Sequence, residues 1–141
     1  VCSSDLIWWV KYFYLKQKYL THQISYTYTD AVVKEDENSR YINQAYTPHN
    51  RLIYVLDSQI TDKINGILKF TSVSKQVWTA YNSTTKIPDY TTTDILLNYK
   101  IYKEDLFTYV GIDNIFDKKY QVSFEYPIPA RTYKAGLKFR F

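Results

Sequence analysis

Between Arg131 and Phe141 apolar and polar positions alternate without interruption. Tyr133, Ala135, Leu137, Phe139 and Phe141 fall on one side, and Thr132, Lys134, Gly136, Lys138 and Arg140 on the other. A period of two separates such sets only in an extended strand. Three cations on one face and aromatics at the very end suit a strand whose apolar side meets lipid and whose polar side meets a wet lumen.

The same alternation recurs upstream, in segments joined alternately by short and long connections. Residues 23–33 send Ile24, Tyr26 and Tyr28 to one side and Ser25, Thr27 and Thr29 to the other,. Residues 48–61 are apolar on both faces through Leu52, Ile53, Tyr54, Val55 and Leu56, as expected of a strand placed between lipid and a plug. Asp62-Lys63-Ile64-Asn65-Gly66 predicts a tight turn at Asn-Gly, residues that tolerate positive φ, and a third strand leaves it through Leu68, Phe70 and on to Trp78,. The Ser- and Thr-rich stretch 82–90, closed by Pro88-Asp89, predicts a long loop. A fourth strand follows, with Ile95, Leu97, Tyr99 and Ile101 opposite Asp94, Leu96, Asn98, Lys100 and Tyr102. After a reversal at Lys103-Glu104-Asp105, the fifth sets Leu106, Thr108, Val110 and Ile112 against Phe107, Tyr109, Gly111 and Asp113, and breaks at 114–120. The C-terminal strand is the sixth. The predicted class is therefore all-β, an antiparallel transmembrane β-barrel segment with short turns at one end and long loops at the other.

Hydropathy does not reveal such a wall. Mean hydropathy is −0.40 with 45% hydrophobic residues, yet the chain holds 16 Tyr, 7 Phe and 3 Trp. Its longest apolar run, Leu6 to Val10, falls far short of the roughly 20 residues of a membrane helix, so only barrel strands could span. The net charge of +4 is dispersed, with no cluster beyond Lys118-Lys119, which speaks against a nucleic-acid surface,. One cysteine, Cys2, precludes an internal disulfide,. Val1-Cys2-Ser3-Ser4-Asp5-Leu6 reads as a cloning or assembly scar, and residues 1–22 stay unassigned, with 8–17 a candidate seventh strand. The absence of a visible signal peptide reads as truncation.

Four motifs occur in order. Ser25-Tyr26-Thr27-Tyr28-Thr29-Asp30-Ala31 comes first, then Ile87-Pro88-Asp89-Tyr90, then Gly111-Ile112-Asp113-Asn114-Ile115-Phe116-Asp117-Lys118-Lys119-Tyr120, then Tyr126-Pro127-Ile128-Pro129-Ala130-Arg131-Thr132-Tyr133. Residues 23–141 thereby resemble the C-terminal barrel portion of TonB-dependent outer-membrane receptors, with Ala130 where that family usually has Gly. The motif residues are Asn114, Phe116, Asp117, Tyr120, Pro127, Pro129 and Arg131. Asn114 and Asp117 are good strand breakers, and Phe116 and Tyr120 are expected at an interfacial aromatic girdle. The resemblance implies about six C-terminal strands of a roughly 22-stranded barrel, located in the bacterial outer membrane, that imports ferric siderophore, haem or cobalamin. It also implies a fragment lacking plug and TonB box. Implied partners are outer-membrane lipid, the TonB complex acting through the missing N-terminal part, a small metal-chelate or cofactor ligand, and the barrel-assembly machinery. The last would read Tyr133, Leu137, Phe139 and Phe141 as its signal.

Candidate chemistry is sparse. His22 and His49 have no second ligand at metal-binding spacing, so neither metal nor cofactor is expected,. No nucleophile elbow or phosphate loop is present, and no enzyme is expected. Asp30 with Glu35, Asp36 and Glu37 reads as a solvated charge run. Ligand contacts are expected in loops 34–46, 82–90 and 117–130, through Tyr41, Tyr46, Tyr90, Phe124 and Tyr126. Two alternatives stand beside this reading. One is a complete eight-stranded outer-membrane barrel with a structural or adhesive role. The other is a soluble β-barrel binding module, which would need large apolar side chains inside.

Overall fold

The computed structural model describes residues 3–34, 41–80, 83–102, 106–123, 126–127 and 130–139. Among them there is no helix, and so none long and apolar enough to cross a membrane. Seven long strands form one antiparallel wall: β1 (Ser3–Lys16), β2 (Leu20–Lys34), β4 (Asn50–Gln59), β5 (Ile64–Val73), β8 (Tyr90–Tyr102), β9 (Leu106–Asp113) and β12 (Thr132–Phe139). Short β3 (Ile42–Asn43) pairs with the end of β2. Two hairpins stand apart from the wall, β6 (Gln76–Ala80) with β7 (Ser83–Ile87), and β10 (Gln121–Ser123) with β11 (Tyr126–Pro127).

Each long strand neighbours the next in sequence, so the wall is a meander. Its connections 17–19 and 60–63 are short and lie at one end; 35–49, 74–89 and 114–131 are long and lie at the other. The register keeps each face aligned from strand to strand. Tyr133, Ala135 and Leu137 oppose Ile112, Val110 and Thr108, which continue through Ile95 and Leu97 to Leu68, Leu56 and Ile24. Lys134, Gly111, Leu96, Ile67, Asp57 and Thr21 share the opposite face. On the first face Tyr133, Leu137 and Phe139 are 68%, 63% and 59% exposed, an arrangement that is costly in water and favourable against lipid,.

Several expectations change. Residues 1–22 were left unassigned, with 1–6 read as a scar and 8–17 as a candidate seventh strand; Ser3–Lys16 pairs along its whole length with β2, so the seventh strand is present and begins earlier than that candidate. The Asn65-Gly66 turn does not form. Both residues lie in β5, opposite Gln59 and Ser58, and no glycine has positive φ. The hairpin closes instead on the Thr61 hydroxyl, which accepts from the N–H groups of Lys63 (3.3 Å) and Ile64 (3.0 Å),. Asn65 is held in the strand by its amide, which donates to Asp57 Oδ1 (2.5 Å) and accepts from Asn98 Nδ2 (3.1 Å). The third strand ends at Val73, and Trp78 belongs to β6. The predicted loop 82–90 is strand β7 from Ser83 and the start of β8 at Tyr90, because threonine is a strand former and finds a partner in β6,. Position 82 and the reversal at 103–105 lie outside the described residues, as do Glu35, Asp36, Glu37 and Cys2.

Gly136 has a packing reason. The Tyr109 ring lies across it, so that an added Cβ would stand 2.6 Å from the ring. Gly136→Val is expected to lower the yield of folded barrel sharply, and Gly136→Val with Tyr109→Ala to recover much of it. Equal yields for the single and double variants, read by heat-modifiable gel migration of the full-length protein, would reject this account.

Candidate functional site

The inward face carries a polar cleft near the long-loop end, of about 310 Å3, lined among others by Arg51, Lys69, Tyr90, Asp94, Asp113 and Tyr120. Six elements build it, β12 through Thr132. Arg51 comes from β4, Lys69 from β5, Tyr90 and Asp94 from β8 and Asp113 from β9, while Tyr120 folds in from the connection after β9. Lys69 and Asp94 are directly paired across β5 and β8, with Nζ and Oδ2 4.0 Å apart. Lys134 Nζ reaches Asp113 Oδ1 at 2.6 Å. Gly111 permits this: a Cβ there would sit 2.7 Å from Lys134 Cε.

The connection after β9 is tied down by its own backbone geometry. Asn114, 4% exposed, and Asp117 adopt left-handed φ of 53° and 55°. Asn114 N–H donates to Asp94 Oδ1 (2.9 Å), while its side chain donates to Lys118 O (2.8 Å) and accepts from Lys118 N–H (3.0 Å). Asp117 Oδ1 accepts from Arg131 N–H (2.8 Å), closing the loop base, and the Arg131 guanidinium is raised in pKa by its hydrogen bond to Tyr133. Tyr120 stacks on Tyr90 with ring centroids 4.3 Å apart. It therefore lines the lumen and does not join an outward girdle, because the left-handed turn redirects the chain across the inner face. Burial, and then Tyr90, Asp94 and Asp113, push its phenol pKa up. Phe116 is 74% exposed at the turn.

Outside the cleft, Tyr41 lies under the Lys34 ammonium (5.7 Å) on the connection after β2. Tyr46 has φ 57°, and its N–H donates to Val77 O (2.9 Å), which ties that connection to the β6–β7 hairpin. Tyr126 is 72% exposed in β11. Of the five loop aromatics expected at a ligand, Tyr90 alone reaches the cleft; Tyr41, Tyr46 and Tyr126 stand elsewhere at the same end, and Phe124 lies outside the described residues. Pro129 and Phe141 do too. The histidines serve the wall: His22 shares a hydrogen bond with the Tyr54 hydroxyl (2.9 Å), and His49 with Thr29 O (3.0 Å). Among the described residues no group of three metal-ligating side chains assembles.

No family model matches the chain, and no curated protein is significantly similar in sequence. Solved structures match in fold. The siderophore receptor PirA from Acinetobacter baumannii matches with TM-score 0.77 at 23% identity over 94% of this chain and 21% of that one. The ferripyoverdine receptor of the outer membrane of Pseudomonas aeruginosa matches with TM-score 0.79 at 15% identity, over 96% and 19%. The siderophore receptor PiuA from A. baumannii matches with TM-score 0.78 at 15% identity, over 99% and 22%. The chain has the fold of a siderophore-receptor barrel wall.

It spans about a fifth of the length of those receptors. Within a receptor-type wall the cleft residues Arg51, Lys69, Asp94 and Asp113 are the ones sequence reasoning passed over. The alternation sets Asp94 and Asp113 opposite the apolar positions of their strands, whereas residues 48–61, which include Arg51, read as apolar on both faces. What was missing was the register that brings them side by side.

Proposed function

We propose that the chain is a stretch of barrel wall, toward the C-terminal end, of a TonB-dependent outer-membrane receptor that imports a scarce nutrient, of the ferric siderophore type. The carrying observation is the two-faced meander. On β8, β9 and β12 the exposed apolar side chains Leu97, Tyr99, Val110, Tyr133, Leu137 and Phe139 lie on the outward face, Lys69, Asp94, Asp113 and Lys134 lie on the inward face of the same wall, and the long connections gather at a single end,. A soluble module needs the reverse, large apolar side chains inside. A closed eight-stranded barrel would pair its first and last strands, whereas among the described residues β1 and β12 remain the two edges.

In this reading the outward face meets membrane lipid, and Tyr133, Leu137 and Phe139, leading to Phe141, are what the barrel-assembly machinery reads. TonB acts on parts of the receptor beyond this chain. The structural neighbours are receptors, not enzymes, and transport needs no catalytic group here. Ligand would enter from the long-loop end, where Tyr41, Tyr46, Tyr90, Phe124 and Tyr126 can pack on it.

Deleting the gene for the full-length receptor is expected to abolish uptake of at least one iron chelate under iron limitation. Restoring the gene should restore uptake in cells with TonB and fail to do so in cells without it. Uptake that is unchanged by the deletion, or equal in both backgrounds, rejects the proposal. The aromatic contacts fall separately if replacing all five leaves ligand affinity unaltered.

A further inference from the structure

On the outward face a groove of about 370 Å3 opens at the long-loop end of β4 and β5, beside the connection 74–89. It lies across β2, β4 and β5, with β1 beyond it on one side and β8 on the other, so the strands that frame it all belong to this chain. Leu52 gives the groove an apolar surface, and Tyr54 and Phe70 are paired in the next outward row toward mid-membrane.

The polar lining is sorted by chemistry. Ser74 Oγ accepts from the Asn50 N–H (3.0 Å), Ser72 Oγ from the Thr91 hydroxyl (3.3 Å), and Asn50 Oδ1 from the Tyr26 hydroxyl (2.6 Å). Each of these three side chains has an acceptor engaged and keeps protons of its own to give, on the two hydroxyls and on the amide. Lys75, exposed where the connection leaves β5, adds an ammonium. Asp89, exposed where the connection returns to β8, is the carboxylate of the lining and can only accept,. The two charges come from opposite ends of one connection and form no ion pair with each other. Donors with a cation thus stand beside a single anion, at the upper edge of an apolar strip.

A lipid phosphate matches the first set, since its oxygens accept and carry negative charge, and a primary ammonium close to that phosphate matches Asp89. A glycerol head would bring no cation to the carboxylate, and a choline head has no N–H to donate to it. A phosphorylated disaccharide head would set further negative charge against Asp89. We propose that this groove holds phosphatidylethanolamine, with its phosphate on Lys75, Ser72, Ser74 and Asn50, its ammonium on Asp89 and an acyl chain over Leu52, Tyr54 and Phe70. The assignment rests on the reading of this face as membrane-facing and names the lipid class that the face selects.

The test uses the full-length receptor that carries this chain, delipidated in detergent, as wild type, Lys75→Gln, Asp89→Asn and the exposed β7 control Lys86→Gln. Folding of each is checked by heat-modifiable migration. Each is mixed with equal amounts of phosphatidylethanolamine, phosphatidylglycerol, phosphatidylcholine and lipid A, and the lipid that stays bound is identified by native mass spectrometry. Wild type and Lys86→Gln are expected to retain phosphatidylethanolamine in preference to the other three. Lys75→Gln should retain it roughly tenfold less, the loss of one charge-assisted bond. Asp89→Asn should still bind phospholipid but no longer favour ethanolamine over glycerol or choline heads. The assignment is overturned if wild type holds another of the four lipids as well as or better than phosphatidylethanolamine, if Asp89→Asn keeps the preference, or if Lys86→Gln loses as much as Lys75→Gln. TonB-dependent uptake of an iron chelate, measured on the same variants, separates the two readings: uptake that persists while lipid selectivity fails removes the lipid site and leaves transport standing.

Discussion

Leu97→Arg is expected to remove most of the folded receptor from the outer membrane, while Asn98→Arg, one residue away on the same strand, leaves most of it in place. Leu97 points outward between Gly66 and Val110, in the apolar band, and is 41% exposed. An arginine on the lipid face of a barrel costs about 2–4 kcal/mol near mid-membrane, a large share of a net stability of about 5–15 kcal/mol. Asn98 points inward, opposite Asn65 and Tyr109. Its replacement gives up the 3.1 Å bond to Asn65, worth about 1 kcal/mol, and places a charge where water and polar groups can solvate it. The readout is folded, heat-modifiable receptor in the outer-membrane fraction. Equal losses for the two variants would mean that the faces have been assigned wrongly, and the whole lipid-and-lumen argument would go with them.

Asn114→Ala is expected to be the most damaging single change in the connection after β9. Alanine would be held at φ near 53°, a left-handed conformation that costs an ordinary residue about 1–2 kcal/mol. It would also lose both side-chain bonds to Lys118, each worth about 1 kcal/mol. The sum, about 3–4 kcal/mol, falls on the turn that places Tyr120 against Tyr90. Asn114→Gly should recover the conformational part and none of the bonding part. Measured by urea midpoint together with protease cleavage between 115 and 131, the order of damage should be Ala greater than Gly greater than wild type. Ala and Gly variants of equal stability would show that left-handed geometry contributes nothing, and the motif's role would reduce to its hydrogen bonds.

These two changes also mark where the chain could and could not be interpreted before its fold was known. The alternation in 132–139, 106–113 and 94–102 named the outward and inward residues of β12, β9 and β8, and the register agrees at every paired position but Tyr102 with Leu106, which lies past an irregularity after Lys100. Asn114 and Asp117 were legible as breakers because few residue types tolerate positive φ,. Asn65-Gly66 has the same appearance and a different outcome. Its asparagine gains more from Asp57 and Asn98 across the inward face than it would in a turn, and Ile60 and Leu97 cover the glycine's outward side. Composition misled in 82–90 for a related reason: serine and threonine suit a solvated loop or a paired strand equally, and only the partner β6 decides,. Tyr120 was placed with the interfacial aromatics because an isolated ring near a strand end has no stated direction. Its direction comes from the left-handed turn before it.

What the sequence determined by itself is which side chains share a face and where strands must break. Both are local properties, set by the two-residue period of extended backbone and by the φ each residue tolerates. What only the tertiary structure decided is which strand meets which, and at what offset. Arg51, Lys69, Asp94 and Asp113 are far apart in the chain, and each is an ordinary inward charge on its own strand. They become one cleft because register is a property of strand pairs and is fixed by contacts that no single strand contains,.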